Sequence, residues 1–185
     1  MADDFVVTPW NVEGDIDYDK LIKRFGTQKI TSDVLAKIEK FTKESHFMLR
    51  RGIFFSHRDL NRLLDDYEKG KKFFLYTGRG PSGHTHIGHL VPWVFAKWLQ
   101  DKFGAKMYFQ LTDDEKFWSK KDMTLEKTSN FALENALDFI ALGFKPENTK
   151  IIIDTKNIKT LYPIAAEFAK RINFSNTKAV FGFQN

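Results

Sequence analysis

The chain has 185 residues, 42% of them hydrophobic, and its formal net charge of +5 would suit a polyanion such as RNA. The 24 acidic residues are interspersed with the 29 basic ones, however, so a mixed solvated surface accounts for the charge equally well. Nineteen Phe, five Tyr and four Trp exclude a low-complexity tail, the lack of Cys excludes disulfide frameworks and thiolate metal sites, and no apolar run is long enough to span a membrane.

The chain opens on MADDFVV, too poor in apolar residues for a signal peptide, so a soluble cytoplasmic protein is expected. Residues 1–70 read as an N-terminal helical extension. Amphipathic stretches DYDKLIKRFG, SDVLAKIEKF and HRDLNRLLDDYEKG predict helices. The last is expected to open at Ser56, with Asp59 three residues on, in a variant of the capping box. MLRRGIFF, between them, reads as a strand or a bend.

Residues 71–185 follow a different rhythm. KFFLY (72–76), AKMYFQLT (105–112) and KIIID (150–154) are apolar runs of strand length. After the first, Leu90, Val94, Phe95, Trp98 and Leu99 form a helical stripe within Ile87–Phe103. After the second, Phe131, Leu133, Leu137 and Ile140 form another, stopped by Gly143. A third helix is expected from about Thr160 to Arg171, followed by the apolar segment KAVFGF. Strand and helix alternating in this way predict an α/β fold with a partial Rossmann-like parallel sheet, in which ligands bind beyond the carboxyl ends of the strands. TGRGPSGHTHIGH leaves the first strand at that end and TDDEK leaves the second.

Three of the five histidines, His84, His86 and His89, crowd into the first of these turns. A metal site, a phosphate cradle and incidental loop composition are the three readings. The metal reading lacks a His-Glu-x-x-His arrangement and thiolates. The phosphate reading draws on Gly78, Gly80, Gly83 and Gly88, which let backbone approach an anion, and on the N-terminus of the helix that follows. Pro92, at the sixth helical position, deprives the Gly88 carbonyl of its usual partner. Asp113 and Asp114 read as helix-start residues rather than magnesium ligands.

PSGHTHIGHL resembles the HIGH signature of class I aminoacyl-tRNA synthetases, with His86, Ile87, Gly88 and His89 as its four letters. LYTGRGPSG, HFMLRRGIFFSHRD, KWLQDKFG, QLTDDEKFW and the early TPW followed by IDYDKLIKRFG are similar to the tryptophanyl-tRNA synthetases of eukaryotic and archaeal type, over nearly the whole chain. The resemblance implies activation of L-tryptophan by ATP, with Mg2+ and no tightly bound cofactor or protein-held metal, and transfer to tRNA(Trp) by a homodimer. It implies that His86, His89 and Arg79 are catalytic and that Thr77, Gly78, Gly80, Pro81, Gly88 and Lys116 complete the ATP site. Tyr76 and Gln110 would share the indole N–H, Gly78 and Thr112 would line the pocket, and Glu115 would hold the substrate ammonium. Thr8 to Trp10 would reach toward the nucleotide.

The second class I signature, a Lys-Met-Ser-Lys-Ser-like loop, does not occur. Residues 71–185 are therefore expected to be the first half of the catalytic domain, without its second half or an anticodon-binding domain, and unable to complete catalysis alone. The alternatives are another His-x-Gly-His nucleotidyl transferase, a non-enzymatic interaction fragment and, within the same class, a tyrosyl enzyme, whose phenol would call for an acidic acceptor where Gln110 stands.

Overall fold

The computed structural model describes residues 6–7, 12–14 and 17–181. In chain order its elements are β1 (Val6–Val7), β2 (Val12–Glu13), α1 (Tyr18–Phe25), β3 (Gln28–Lys29), α2 (Ser32–Thr42), α3 (Phe47–Arg50), β4 (Ser56–His57) and α4 (Leu60–Glu68). These are followed by β5 (Phe74–Arg79), α5 (Ile87–Phe103), β6 (Lys106–Leu111), α6 (Asp113–Ser119), α7 (Leu125–Ala141), β7 (Thr149–Ile153), α8 (Asp154–Ala169) and α9 (Phe174–Phe181).

The chain groups into two compact units. Met1–Lys29, Ser56–Arg58 and Lys159–Asn185 form one. In it β1 pairs with β2 and β3 with β4, both antiparallel. Helix α1 is capped at both ends: the Asp17 carboxylate accepts from the Asp19 and Lys20 amides at 3.0 Å, and Gly26 closes the helix in the left-handed region at φ 59°. The Ser56 capping box does not form. Ser56 lies in β4, paired with Lys29, and Asp59 precedes α4 at φ 56° without a side-chain cap bond. The strand pairing takes Ser56 before it can cap.

Ile30–Phe55 and Asp59–Ile158 form the second unit, which holds the sheet. Strands β5, β6 and β7 are parallel in that order, with Gly78 opposite Gln110 and Gln110 opposite Ile152. Both crossovers step the same way across the sheet, so α5 and α7 share a face. Trp93 and Ala96 of α5, Ala132, Ala136 and Phe139 of α7, and Met107, Phe109 and Leu111 of β6 are buried together there. Phe109 stacks on Phe139 at 3.8 Å between ring centres, and Trp93 meets Phe109 edge-on at 5.1 Å.

Side chains alternate along strands, so Phe74, Tyr76, Tyr108, Gln110 and Ile152 lie on the opposite face. Phe74 and Tyr76 are each 62% exposed there.

The helical stripes depart from expectation in an instructive way. Helix α5 is apolar on two sides: Trp93, Ala96 and Gln100 are buried, while Phe95, Trp98 and Phe103 pack against a second cluster built on Val34, Ile38, Leu49 and Leu64. In α7 the buried residues are Thr128, Ala132, Asn135, Ala136 and Phe139, whereas the predicted Leu133, Leu137 and Ile140 are exposed. MLRRGIFF is neither strand nor simple bend: Phe47–Arg50 is a short helix capped by His46, whose Nδ1 accepts from the Met48 amide at 3.3 Å. TDDEK opens α6, with Asp113 and Asp114 in its first turn as expected. Helix α8 starts at Asp154, directly off β7 and well ahead of Thr160.

Candidate active site

The turn after β5 is shaped from beneath by Arg79. Its Nη1 donates to Thr85 Oγ1 at 2.8 Å, and its Nη2 donates to the Gly83 and His84 carbonyls at 3.0 and 2.8 Å. The Gly83 carbonyl also accepts from Asn135 Nδ2 at 3.1 Å, which ties the turn to α7. Burial lowers the Arg79 pKa, and the carboxylate of Asp138 opposes the shift. Arg79 thus spends its fork on the loop, and only its buried Nε has no partner among the described residues. Pro81 is fully buried in the same turn.

The three histidines part company. His84 faces α7, with Nδ1 3.1 Å from Glu134 Oε2 and its ring edge-on to Phe131. His86 is the N-cap of α5, and His89 closes the cap: its Nδ1 accepts from the His86 amide at 3.2 Å. That bond places the His89 proton on Nε2. Burial, Arg79 and His86 all hold the His89 pKa below the usual imidazole value, so its neutral form presents an Nε2–H donor. The two rings lie 3.7 Å apart. No three His, Asp or Glu side chains converge as a metal-ligand set among the described residues.

Two glycines stand at close approaches, one against backbone and one against a movable side chain. A Cβ at Gly78 would stand 2.4 Å from the Gln110 carbonyl oxygen on the neighbouring strand. At Gly80 it would stand 2.0 Å from Cε of Lys116. Gly88 is exposed, and a Cβ there would meet only the His86 ring, at 3.1 Å. Thr77 and Arg79, whose registered neighbours are Phe109 and Leu111, point to the helix-covered face, while Tyr76 and Gly78 belong to the other.

At the carboxyl ends of β5 and β6 a polar chain crosses the exposed face. Tyr76 Oη–H donates to Gln110 Oε1 at 2.5 Å, and Gln110 Nε2 lies 2.8 and 2.9 Å from the two oxygens of Asp154. Burial and the Asp154 charge raise the Tyr76 pKa. Asp154 itself is pushed up to about 6, chiefly by burial, against the pull of Gln110. Beside them, Glu115 Oε2 accepts from Thr112 Oγ1 at 3.0 Å and Oε1 accepts from Lys116 Nζ at 2.8 Å. Glu115 already receives an ammonium, that of its neighbour. Asp113 is fully buried and serves α8, accepting from the Thr155 amide at 3.1 Å and hydroxyl at 2.6 Å.

The predicted residues therefore sort into a histidine turn and a strand-end group, both within the unit that holds the sheet. Asp154 and Asn135 were not among the sequence candidates. Asp154 had a signal, an acid closing the third apolar run at the ligand-binding edge; Asn135 had none. Thr8 to Trp10 lie outside the described residues.

A family model described as tRNA synthetases class I (W and Y) matches residues 68–176. The chain belongs to that family. Its HIGH letters, His86 to His89, stand at the start of the first crossover helix, α5. A tryptophan–tRNA ligase of Pyrobaculum aerophilum is 54% identical over 183 residues, which is 99% of this chain and 49% of the relative. That of Sulfurisphaera tokodaii is 56% identical over 98% of this chain and 48% of its own. A crystal structure of Plasmodium falciparum tryptophanyl-tRNA synthetase superposes with a TM-score of 0.87 at 44% identity, covering 92% of this chain and 48% of that one. The chain spans about half the length of the curated relatives it matches.

Proposed function

We propose that this class I synthetase chain supplies the tryptophan pocket and the first ATP signature of a tryptophan–tRNA ligase, which joins L-tryptophan to tRNA(Trp) by way of tryptophanyl-adenylate. The observation that carries the reading is the Tyr76–Gln110 pair, hydrogen-bonded at 2.5 Å across adjacent strand ends. A buried ring N–H needs such oxygen acceptors, and a ring without the donor leaves them unpaired, which separates the two by powers of ten. Gly78 keeps the floor between them free of a side chain, and Thr112 holds Glu115 to receive the amino acid's ammonium. Lys116 would then turn from Glu115 to the substrate carboxylate or a phosphate.

For ATP, brought as its magnesium complex, His89 Nε2–H, His86 and the amides of the first turn of α5 form the donor set. Donors aimed at charge that develops during attack on the α-phosphate lower the barrier most. Thr77, Gly80, Pro81 and Gly88 border this set, and Arg79 fixes its loop. The described residues offer no free carboxylate cluster to hold Mg2+, since Asp113 is occupied by Thr155; the ion would be carried by the phosphates. In domain terms, residues 71–185 are the first half of the Rossmann-like catalytic domain and 1–70 the extension built before it. We place the whole ligase in the cytoplasm as a homodimer, for which the exposed Leu133, Leu137 and Ile140 of α7 supply an apolar row.

Calorimetric titration tests the reading. Tryptophan should bind this chain and tyrosine should not; equal affinity for the two would remove the pocket assignment. His89→Ala should weaken ATP binding and leave tryptophan affinity unchanged, and loss of both together would point to a folding defect instead.

A further inference from the structure

Asp154 ends the run KIIID and is 7% exposed, and it stands directly behind Gln110, one of the two residues assigned to the indole N–H. Besides a side-chain hydrogen bond with Asp114, its partner is the Gln110 amide. An ionised carboxylate can only accept, so Gln110 must turn its NH2 toward the two Asp154 oxygens, 2.8 and 2.9 Å from Nε2. The reversed amide would set carbonyl oxygen against carboxylate oxygen. Oε1 consequently faces Tyr76 and accepts the hydrogen bond of its hydroxyl. The remaining lone pairs of Tyr76 Oη and Gln110 Oε1 are what the pair offers to anything that lands on it. Left to themselves, a glutamine amide and a tyrosine hydroxyl would each be able to donate or accept.

We propose that Asp154 is a positioning residue that makes the Tyr76–Gln110 pair acceptor-only and thereby selects a ligand ring bearing an N–H. The proposal rests on the tryptophan reading above and deepens it: discrimination arises one residue behind the pocket, in a carboxylate that does not touch the ligand. Its neighbourhood is consistent with a group whose ionisation matters. Asp113 and Asp114 of α6 both disfavour its charge, Gln110 of β6 favours it, and Tyr76 of β5 stands beyond Gln110. Once protonated, Asp154 has an O–H that can donate to the amide oxygen as well as a carbonyl oxygen that can accept from the NH2, so the orientation of Gln110 is no longer forced.

The test compares L-tryptophan with benzothienylalanine, in which sulfur replaces the ring N–H, by calorimetric titration of the wild-type chain, Asp154→Ala and Asp154→Asn near neutral pH. Wild type should prefer tryptophan. Asp154→Ala should narrow that preference by about tenfold, through weaker tryptophan binding with the sulfur analogue little changed. Asp154→Asn, which keeps one acceptor, should fall between. A preference unchanged in Asp154→Ala, or equal weakening of both ligands, overturns the proposal while leaving the tryptophan pocket standing. A wild-type chain that binds neither ligand overturns the pocket reading and the selection with it.

A ligand-free measurement guards against a variant that misfolds. With isotope-labelled glutamine, the Gln110 side-chain amide resonance of the wild type should move with a midpoint near the Asp154 value of about 6, and Asp154→Asn should abolish the movement. A Gln110 amide indifferent to pH across that range would show that Asp154 does not hold it, whatever the ligand data say.

Discussion

The two faces of the three-stranded sheet are built for different purposes. On one, Trp93, Phe109, Phe139 and Phe144 pack ring on ring beneath α5 and α7, and Phe109 and Phe139 have no exposed surface at all. On the other, Phe74 and Tyr76 stand mostly in solvent, and the ordered contacts are hydrogen bonds running from Tyr76 through Gln110 to Asp154. The first face stabilises the sheet by burying apolar area. The second contributes less to stability and holds polar atoms in fixed orientations, which is what a specific ligand site requires. One sheet thus separates the face that holds it together from the face proposed for recognition, by the alternation of its side chains.

That contrast can be broken most forcefully on the packed face. Phe139→Ala should cost about 3–5 kcal/mol, measured by urea unfolding, because a fully buried ring leaves a cavity among ring neighbours that cannot collapse. If the loss stayed below about 1 kcal/mol, the stacked aromatics would not be the source of the sheet's stability.

Gly78→Ala, between the strands that carry the polar chain, should cost about 1–3 kcal/mol, since the new methyl meets backbone rather than a movable side chain. Gly80→Ala is its control. The methyl there meets the flexible end of Lys116, so stability should change by no more than about 0.5 kcal/mol. Equal effects from the two would mean that close strand approach is not what Gly78 provides.

The pH dependence of stability sharpens the comparison. Asp154 is held at about 6 in the folded chain against an ordinary 3.8. The native state therefore retains a proton that the unfolded chain has released, and the stability this contributes is present below the lower value and lost as pH rises through the higher one. The stability of the wild type minus that of Asp154→Asn should fall across that window. His89, whose pKa is lowered, acts with opposite sign in the wild type but cancels in the difference, so a flat difference would contradict the burial of Asp154.

The smallest effect belongs to the exposed face. Tyr76→Phe should leave stability within about 0.5 kcal/mol by thermal unfolding while reducing tryptophan affinity. A large loss of stability would show that the polar chain is structural after all.

Much of this arrangement is legible in the sequence, and the failures are specific. KFFLY, AKMYFQLT and KIIID mark the three parallel strands because fully or half-buried strands need continuous apolar runs. The HIGH letters fall at the head of α5 as expected. The buried face of α7 departs from its apolar stripe because Thr128 and Asn135 are buried polar residues that donate to the Leu125 and Gly83 carbonyls, which hydropathy alone does not foresee. Helix α8 starts ahead of its expected Thr160 for a related reason. Its first amides are not capped from the preceding loop, since none exists; Asp113, 42 positions earlier, accepts from Thr155.

By itself, the sequence determined the order of strands and helices, the edge of the sheet where the polar turns gather, and a motif set distinctive enough to place the chain in its family. These are consequences of local patterning, read within a few turns or one strand. Only the tertiary structure decided which face of each helix is buried, that Arg79 is spent on its own loop, and that Asp154 stands behind Gln110. The bonds from Tyr76 to Gln110 and from Gln110 to Asp154 join residues 34 and 44 positions apart. They exist because parallel register brings successive strand ends together, and no local pattern carries that register.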